Sequence, residues 1–115
     1  MDNEAASKTH ALKNILLVDD EPSVLFALKL LMEAVGYTVR DFSSAADALA
    51  HLKDDHQSQL VICDLRMPKM SGLAVLEEAK RIRPELPFVL MSAHANNDEQ
   101  ARAKELGSEG FLAKP

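Results

Sequence analysis

Apolar and polar positions alternate along this chain in a regular way from Asn14 onward. Ile15-Leu16-Leu17-Val18 is an unbroken run of branched residues, as expected of a strand buried on both faces. It stops at Asp19-Asp20-Glu21-Pro22, where the proline suits the first turn of a helix. Val24, Leu25, Leu28, Leu31, Met32 and Val35 then form one helical stripe, closed by Gly36. Residues 37–42 read as a second strand, and Arg40 and Asp41 give it the polarity of a sheet edge. Ser43-Ser44 can cap a helix carrying Ala45, Ala48, Leu49 and Leu52. A second apolar run, Leu60-Val61-Ile62-Cys63, ends in Asp64. A loop with Pro68 and Gly72 leads into a helix through Leu73, Leu76, Ala79 and Ile82. Pro84 and Pro87 bracket the turn into Phe88-Val89-Leu90-Met91, which ends in Ser92. Residues 96–106 can be helical, although only alanines and Leu106 are available to face a core. Gly107 closes this segment, and Phe111-Leu112-Ala113 is a short last strand before Lys114-Pro115.

Strands alternating with helices, the strands buried on both faces, predict a doubly wound parallel sheet. Right-handed crossovers bring the C-terminal ends of all strands to one rim, where ligands of open α/β sheets bind. Asp19-Asp20, Asp64, Ser92 and Lys114 each follow a strand, so the same rim collects three carboxylates, a hydroxyl and an amine. Two like charges about 4 Å apart cost on the order of 4 kcal/mol at an effective dielectric near 20. The carboxylates therefore call for protons, the lysine or a cation. Hard oxygen ligands suit Mg²⁺, which keeps waters that a phosphate can replace. Lys114 adds a point charge and Ser92 a donor to a phosphoryl oxygen. The set suits phosphoryl transfer with a carboxylate as nucleophile.

Composition narrows the classes further. At 115 residues the chain suits one core, and 47% apolar with 27% charged residues favours a folded domain. A net charge of −5 disfavours direct nucleic-acid binding. No apolar run approaches the ~20 residues of a bilayer span, and MDNEAASKTHALK lacks the apolar stretch of a secretory leader. Residues 1–13 read as a flexible tail. The single cysteine, Cys63, lies in an apolar run as a buried filler, consistent with a reducing, cytoplasmic setting. Met67, Met70 and Met91 read as packing residues. His10, His51, His56 and His94 have no metal-ligand spacing and are expected to face solvent. Neither a GxGxxG nor a GxxxxGK[ST] loop is present.

LLVDDEP, the DLRMPKMSG stretch from Asp64, MSAHA around Ser92 and the terminal FLAKP occur in order, each at a strand end. In this the chain resembles the receiver domains of two-component response regulators, the CheY-like superfamily, from about Asn14 to Pro115. The resemblance implies a flavodoxin-like five-stranded sheet of order 2-1-3-4-5. It implies Asp64 as phosphoacceptor, and Mg²⁺ held by the side chains of Asp20 and Asp64 and the backbone carbonyl of Arg66, with Asp19 acting through water. Lys114 and Ser92 would contact the phosphoryl group, and Phe111 would pack behind Ser92 in a switch that alters a surface around residues 96–111. Arg66 and His94 would border the site and tune the lifetime of the phosphoryl group. The implied partners are a sensor histidine kinase or phosphotransfer protein and an output domain or partner protein, with homodimerisation through the output face open. Members of the family normally continue past the Lys-Pro into a fifth helix, which this chain does not contain. The expectation is thus a receiver over 14–115 with a bare stripe beside Leu28 and Val35. Two rival readings stay open, a pseudo-receiver used as a binding scaffold and an aspartyl-nucleophile phosphatase.

Overall fold

The computed structural model describes residues 12–114 of the chain. Nine elements alternate along it: β1 (Asn14–Val18), α1 (Pro22–Ala34), β2 (Thr38–Phe42), α2 (Ala45–Asp54), β3 (Leu60–Asp64), α3 (Gly72–Ile82), β4 (Phe88–Ser92), α4 (Asn97–Leu106) and β5 (Gly110–Ala113). The strands form one parallel sheet of order β2-β1-β3-β4-β5. The expected flavodoxin-like arrangement is therefore present, with four helices around it. The expected tail lies outside the described residues, apart from Leu12 and Lys13, as do His10 and Pro115.

The two faces of the sheet are covered unequally. On one, Leu16, Val18, Val61, Cys63, Phe88 and Leu90 pack with Ala48 and Leu52 of α2, Val75, Leu76 and Ala79 of α3, and Ala103 of α4. On the other, Ile15, Leu17, Val39, Ile62 and Met91 meet Leu25 of α1, with Leu28 and Met32 partly buried beside it. β1, β3 and β4 are buried along nearly their whole length, as central strands between two layers must be. β2 at one edge alternates toward solvent, which Arg40 and Asp41 tolerate.

The stripe expected on α1 is narrower than its periodicity suggests. Leu25 is buried, whereas Leu31 and Val35, read as core-facing, are 65% and 74% exposed, together with Phe26 and Leu30. Among the described residues α1 is the one helix packed into that face's core, so only residues aimed directly at the sheet are covered. His51 also departs from expectation. It is half-buried, its ring 5.2 Å from that of Phe42 and its Nε2 3.7 Å from Asp55, because the α2 face that carries Ala48 and Leu52 inward brings position 51 against the end of β2.

The connections at the rim are held by caps. Ser44 accepts the Asp47 N–H at 3.2 Å and Ser71 the Ala74 N–H at 3.3 Å. Gly36 and Gly107 adopt positive φ, 106° and 99°, where the chain reverses after α1 and α4. Gly72 is needed for a different reason. A Cβ there would collide with the carbonyl oxygen of Asp64 and approach the Leu65 Cα to 2.9 Å. The start of α3 thus lies directly on the loop that follows β3.

Candidate functional site

Three carboxylates meet at the C-terminal rim. Asp19 and Asp20 follow β1 and Asp64 ends β3, and one oxygen from each lies within 4.8 Å of the others. Asp19 is fully buried and Asp64 is 3% exposed. The register that pairs Val18 with Cys63 sets this spacing, since it ends the two neighbouring strands at the same level. The Asp19 N–H donates to the Phe42 carbonyl at 3.1 Å, which carries the β1–β2 ladder one residue further. Asp19 Oδ1 accepts the Glu21 N–H at 2.9 Å, so the acid also shapes the entry to α1.

Lys114 comes from beyond β5 and reaches into the cluster. Its Nζ lies 2.7 Å from Glu21 Oε1, 3.1 Å from Asp64 Oδ2 and 3.3 Å from Asp19 Oδ2. Its N–H donates to the Ser92 carbonyl at 3.1 Å, which continues the β4–β5 ladder and sets the direction of the side chain. Burial disfavours the charge on Lys114, but its hydrogen bonds to Glu21 and Asp64 and the fields of Asp19 and Asp64 outweigh it, and its pKa stands above the ordinary lysine value. The Asp19 pKa is raised as well, but for an acid that shift works against the charged form. Burial, together with the nearby Asp64 charge, raises its pKa against the pull of the Glu21 N–H and Lys114.

The donor set suits a divalent cation. Asp19 Oδ2 is enclosed and accepts no hydrogen bond, with the Lys114 ammonium its nearest offset at 3.3 Å. A buried acceptor in that position ordinarily has a partner. One lysine among Asp19, Asp20, Glu21 and Asp64 leaves the cluster net negative, as a hard oxygen-ligated ion requires.

Ser92, 9% exposed at the end of β4, borders the same cleft of 350 Å³ as Asp64, Arg66, His94 and Lys114. Its Oγ accepts the His94 N–H at 3.0 Å. Phe111, paired in register with Leu90, is half-buried against the core under α3 and α4. A larger cleft of 490 Å³ opens on the other flank of Asp20, between Ser43–Ala46 and Met67–Met70; apart from Asp20 and Lys69 its lining is small or apolar. Met91 is buried and Met67 and Met70 pack on the core, as expected of filler residues. Cys63 is fully buried; desolvation, with the charges of Asp64 and Asp19, pushes its thiol pKa well up, and it is an inert packing group.

The structure thus brings together Asp19, Asp20, Asp64 and Lys114, with Ser92 beside them. The Arg66 side chain goes elsewhere, to Glu99 and the His94 carbonyl. Sequence reasoning passes over two acids that matter here. Glu21 makes the shortest contact to Lys114, and its place between the acid pair and Pro22 is readable only as the helix entry. Glu99 follows Asn96 by three positions, the spacing of a capping box, and that box is formed.

The comparisons with known proteins agree with this fold. Residues 15–115 match the response regulator receiver domain. The chain is 36% identical over 105 residues to the C4-dicarboxylate transport transcriptional regulatory protein DctD of Rhizobium meliloti, which covers 91% of this chain and 23% of that protein. It therefore spans about a quarter of the length of such relatives. A CheY-like receiver domain from Methanospirillum hungatei superposes with a TM-score of 0.85 at 28% identity, covering 91% of this chain and 83% of that one. A response regulator from Burkholderia pseudomallei, solved with a phosphorylated aspartic acid, a calcium ion and citrate, gives 0.82 at 25% identity, over 90% and 60% of the two chains. With the strand order, the rim of acids and the matched length all in agreement, the chain belongs to the response regulator receiver domain family of two-component signalling.

Proposed function

We propose that this domain is a phosphorylation-operated switch in which Asp64 accepts a phosphoryl group from a phosphohistidine of a sensor histidine kinase or phosphotransfer protein. The observation that carries this reading is the Lys114 ammonium 3.1 Å from the Asp64 carboxylate, inside a cluster whose other members are Asp19 and Asp20. In the transfer, a carboxylate oxygen of Asp64 forms an O–P bond as the N–P bond to imidazole breaks, and the imidazole leaves. Lys114 is set to offset the charge that builds on the phosphoryl oxygens, and the Ser92 hydroxyl to donate to one of them. Asp19, Asp20 and Asp64, with the Arg66 carbonyl, would hold Mg²⁺, which when bound supplies positive charge opposite the transferring group. The Burkholderia pseudomallei protein, with its phosphorylated aspartic acid and calcium ion, supports the same assignment here.

The output follows from Ser92 and Phe111. A phosphoryl group that recruits the Ser92 hydroxyl takes it from the His94 N–H it now accepts. Phe111, half-buried, would then follow, and the surface of residues 96–111 would change. That surface would signal to an output domain or partner protein, or to a second copy of the chain, in the cytoplasm. Direct nucleic-acid binding is not part of this role at a net charge of −5. The domain assists its own phosphorylation and is not a turnover enzyme.

The test is the mass of the intact protein after incubation with Mg²⁺ and acetyl phosphate. One phosphate per chain, lost in Asp64→Asn, is expected. An unmodified wild-type chain with every donor tried would instead make it a binding scaffold, and rapid turnover of many phosphoesters would make it a phosphatase.

A further inference from the structure

Arg66 lies two positions after Asp64, yet its guanidinium is committed to α4. Nη1 donates to Glu99 Oε2 at 2.8 Å and Nη2 to Glu99 Oε1 at 2.7 Å, a fork-to-fork pair, and Nη2 also donates to the His94 carbonyl at 3.1 Å. Glu99 is the third residue of α4. Its Oε1 accepts the Asn96 N–H at 3.0 Å, and its own N–H donates to Asn96 Oδ1 at 2.8 Å. One carboxylate therefore serves both the helix cap and an arginine anchored in the loop after β3. Among the described residues no other ion pair joins α4 to a different element; Arg102–Glu105 lies within the helix. α4 is otherwise lightly held, with Ala103 its one buried residue.

Arg66 also lines the cleft onto which Asp64 opens. We propose that the Arg66–Glu99 fork is a latch that clamps the first turn of α4 to the loop after β3 while Asp64 is unmodified, and that a phosphoryl group on Asp64 draws the guanidinium to itself, frees Glu99 and loosens that turn. The release rests on the reading of Asp64 as phosphoacceptor. An aspartyl phosphate brings two negative charges and three acceptor oxygens at most, in the geometry a guanidinium fork matches. The Arg66 side chain is 57% exposed, so exchanging one partner for another costs little desolvation. Glu99 retains the Asn96 N–H after release, so the turn loosens without unwinding the helix.

Amide hydrogen exchange at Glu99 and Gln100, followed by NMR on the 115-residue chain, tests both halves. The Gln100 N–H donates to the Asn96 carbonyl at 3.0 Å and so reports the first turn. Glu99→Gln keeps an acceptor for the cap but removes the charge; Arg66→Met removes the other partner. In the unmodified protein both should exchange about two- to fivefold faster than wild type at these amides, the range a partly exposed ion pair supplies. Glu105→Gln, which breaks the pair internal to α4, should leave them unchanged. With Mg²⁺ and excess acetyl phosphate, wild type should gain the roughly two- to fivefold that the variants already show, and the variants should respond by less than wild type. Equal protection in Arg66→Met and wild type overturns the clamp. A wild-type chain that carries the phosphate by mass yet keeps its exchange rates overturns the release. A chain that takes no phosphate overturns the phosphoacceptor reading and the release with it, while the clamp is still decided by the unmodified proteins.

Discussion

The Lys114 ammonium donates to the Asp64 carboxylate at 3.1 Å across fifty positions of sequence, and it sits closer still to Glu21, at 2.7 Å. The lysine is thus the counter-charge of the whole cluster, and in the proposed function it is the group that would meet a phosphoryl oxygen. Lys114→Met is expected to slow phosphate-adduct formation by about a hundredfold, the scale of losing one electrostatic donor at a reacting centre. It should also lower the melting temperature in metal-free buffer, because Asp19 and Asp64 then face each other without it. Glu21→Gln should keep the adduct and free the lysine from its exposed partner. Time-resolved mass spectrometry and a thermal melt separate the two effects.

Much of this site is legible in the order of the residues alone. The runs ending at Asp19, Asp64 and Ser92 announce buried parallel strands, and parallel strands bring their ends to one rim. Less legible is what long side chains do there. The partner of Arg66 stands 33 positions away on an element with weak apolar signal, and no periodicity encodes that choice. The exposure of Leu31 and Val35 is hidden for another reason. A stripe at helical spacing records that residues share a face, and whether a neighbouring layer covers that face depends on what packs beside the helix. His51 escapes the pattern in the same way, through a contact with Phe42 that depends on how α2 lies against β2.

Asp19 carries the electrostatic cost of the cluster. Its pKa is raised by burial, so its charge is less favourable in the folded protein than in the unfolded chain, and at neutral pH that charge opposes folding. Asp19→Asn keeps an acceptor for the Glu21 N–H and removes that charge, and should stabilise the metal-free protein by about 1–2 kcal/mol. Mg²⁺ should raise the wild-type melting temperature, by an amount growing with its concentration over the dissociation constant. The variant should show a much smaller rise in a melt series with and without Mg²⁺.

α1 offers a contrast between covered and bare positions on one helix. Leu25→Ala removes a side chain that is 7% exposed and packed on Ile15 and Val39, and should cost about 2–3 kcal/mol in a urea titration. Leu31→Lys replaces a side chain that is 65% exposed and should leave the midpoint within the equivalent of about 0.5 kcal/mol. Equal losses at the two positions would show that Leu31 is covered in solution.

At the opposite end of the sheet, Asp55 holds the turn after α2. Its carboxylate accepts the Gln57 N–H at 2.8 Å and the Ser58 N–H at 3.2 Å, with His51 at 3.7 Å. Burial raises its pKa, but the bonds from Ser58 and Gln57 and the field of His51 prevail, and the value lies below the ordinary 3.8. A depressed folded pKa gives stability that is present above the unfolded value and lost as pH falls through the folded one. Stability contributed by Asp55 should therefore be intact at neutral pH and disappear below about pH 4. Asp55→Asn should be less stable than wild type at pH 7, and the gap should close toward pH 3 in paired urea titrations.

Gly72 links the loop after β3 to α3 by close contact and by a backbone hydrogen bond. A Cβ at this position would overlap the Asp64 carbonyl oxygen and come within 2.7 Å of Leu90 Cδ2 and 2.9 Å of Leu65 Cα. Two of those three atoms are backbone and cannot rotate away, and Leu90 is fully buried. Relief requires α3 to lift or the β3 end to shift, and the Gly72 N–H bond to the Leu65 carbonyl, 2.8 Å, ties the two together. Gly72→Ala should therefore lose about 2–3 kcal/mol of stability, although helix propensity alone would return up to about 1 kcal/mol. Because the displaced backbone carries Asp64, adduct formation should slow as well, at a temperature where the variant is still folded. A Ser71→Ala control removes the cap at the same helix start without touching β3, and should cost about 1 kcal/mol with the rate of adduct formation unchanged. If both variants slow the adduct equally, the helix start as a whole positions Asp64, and close packing at Gly72 is not the cause.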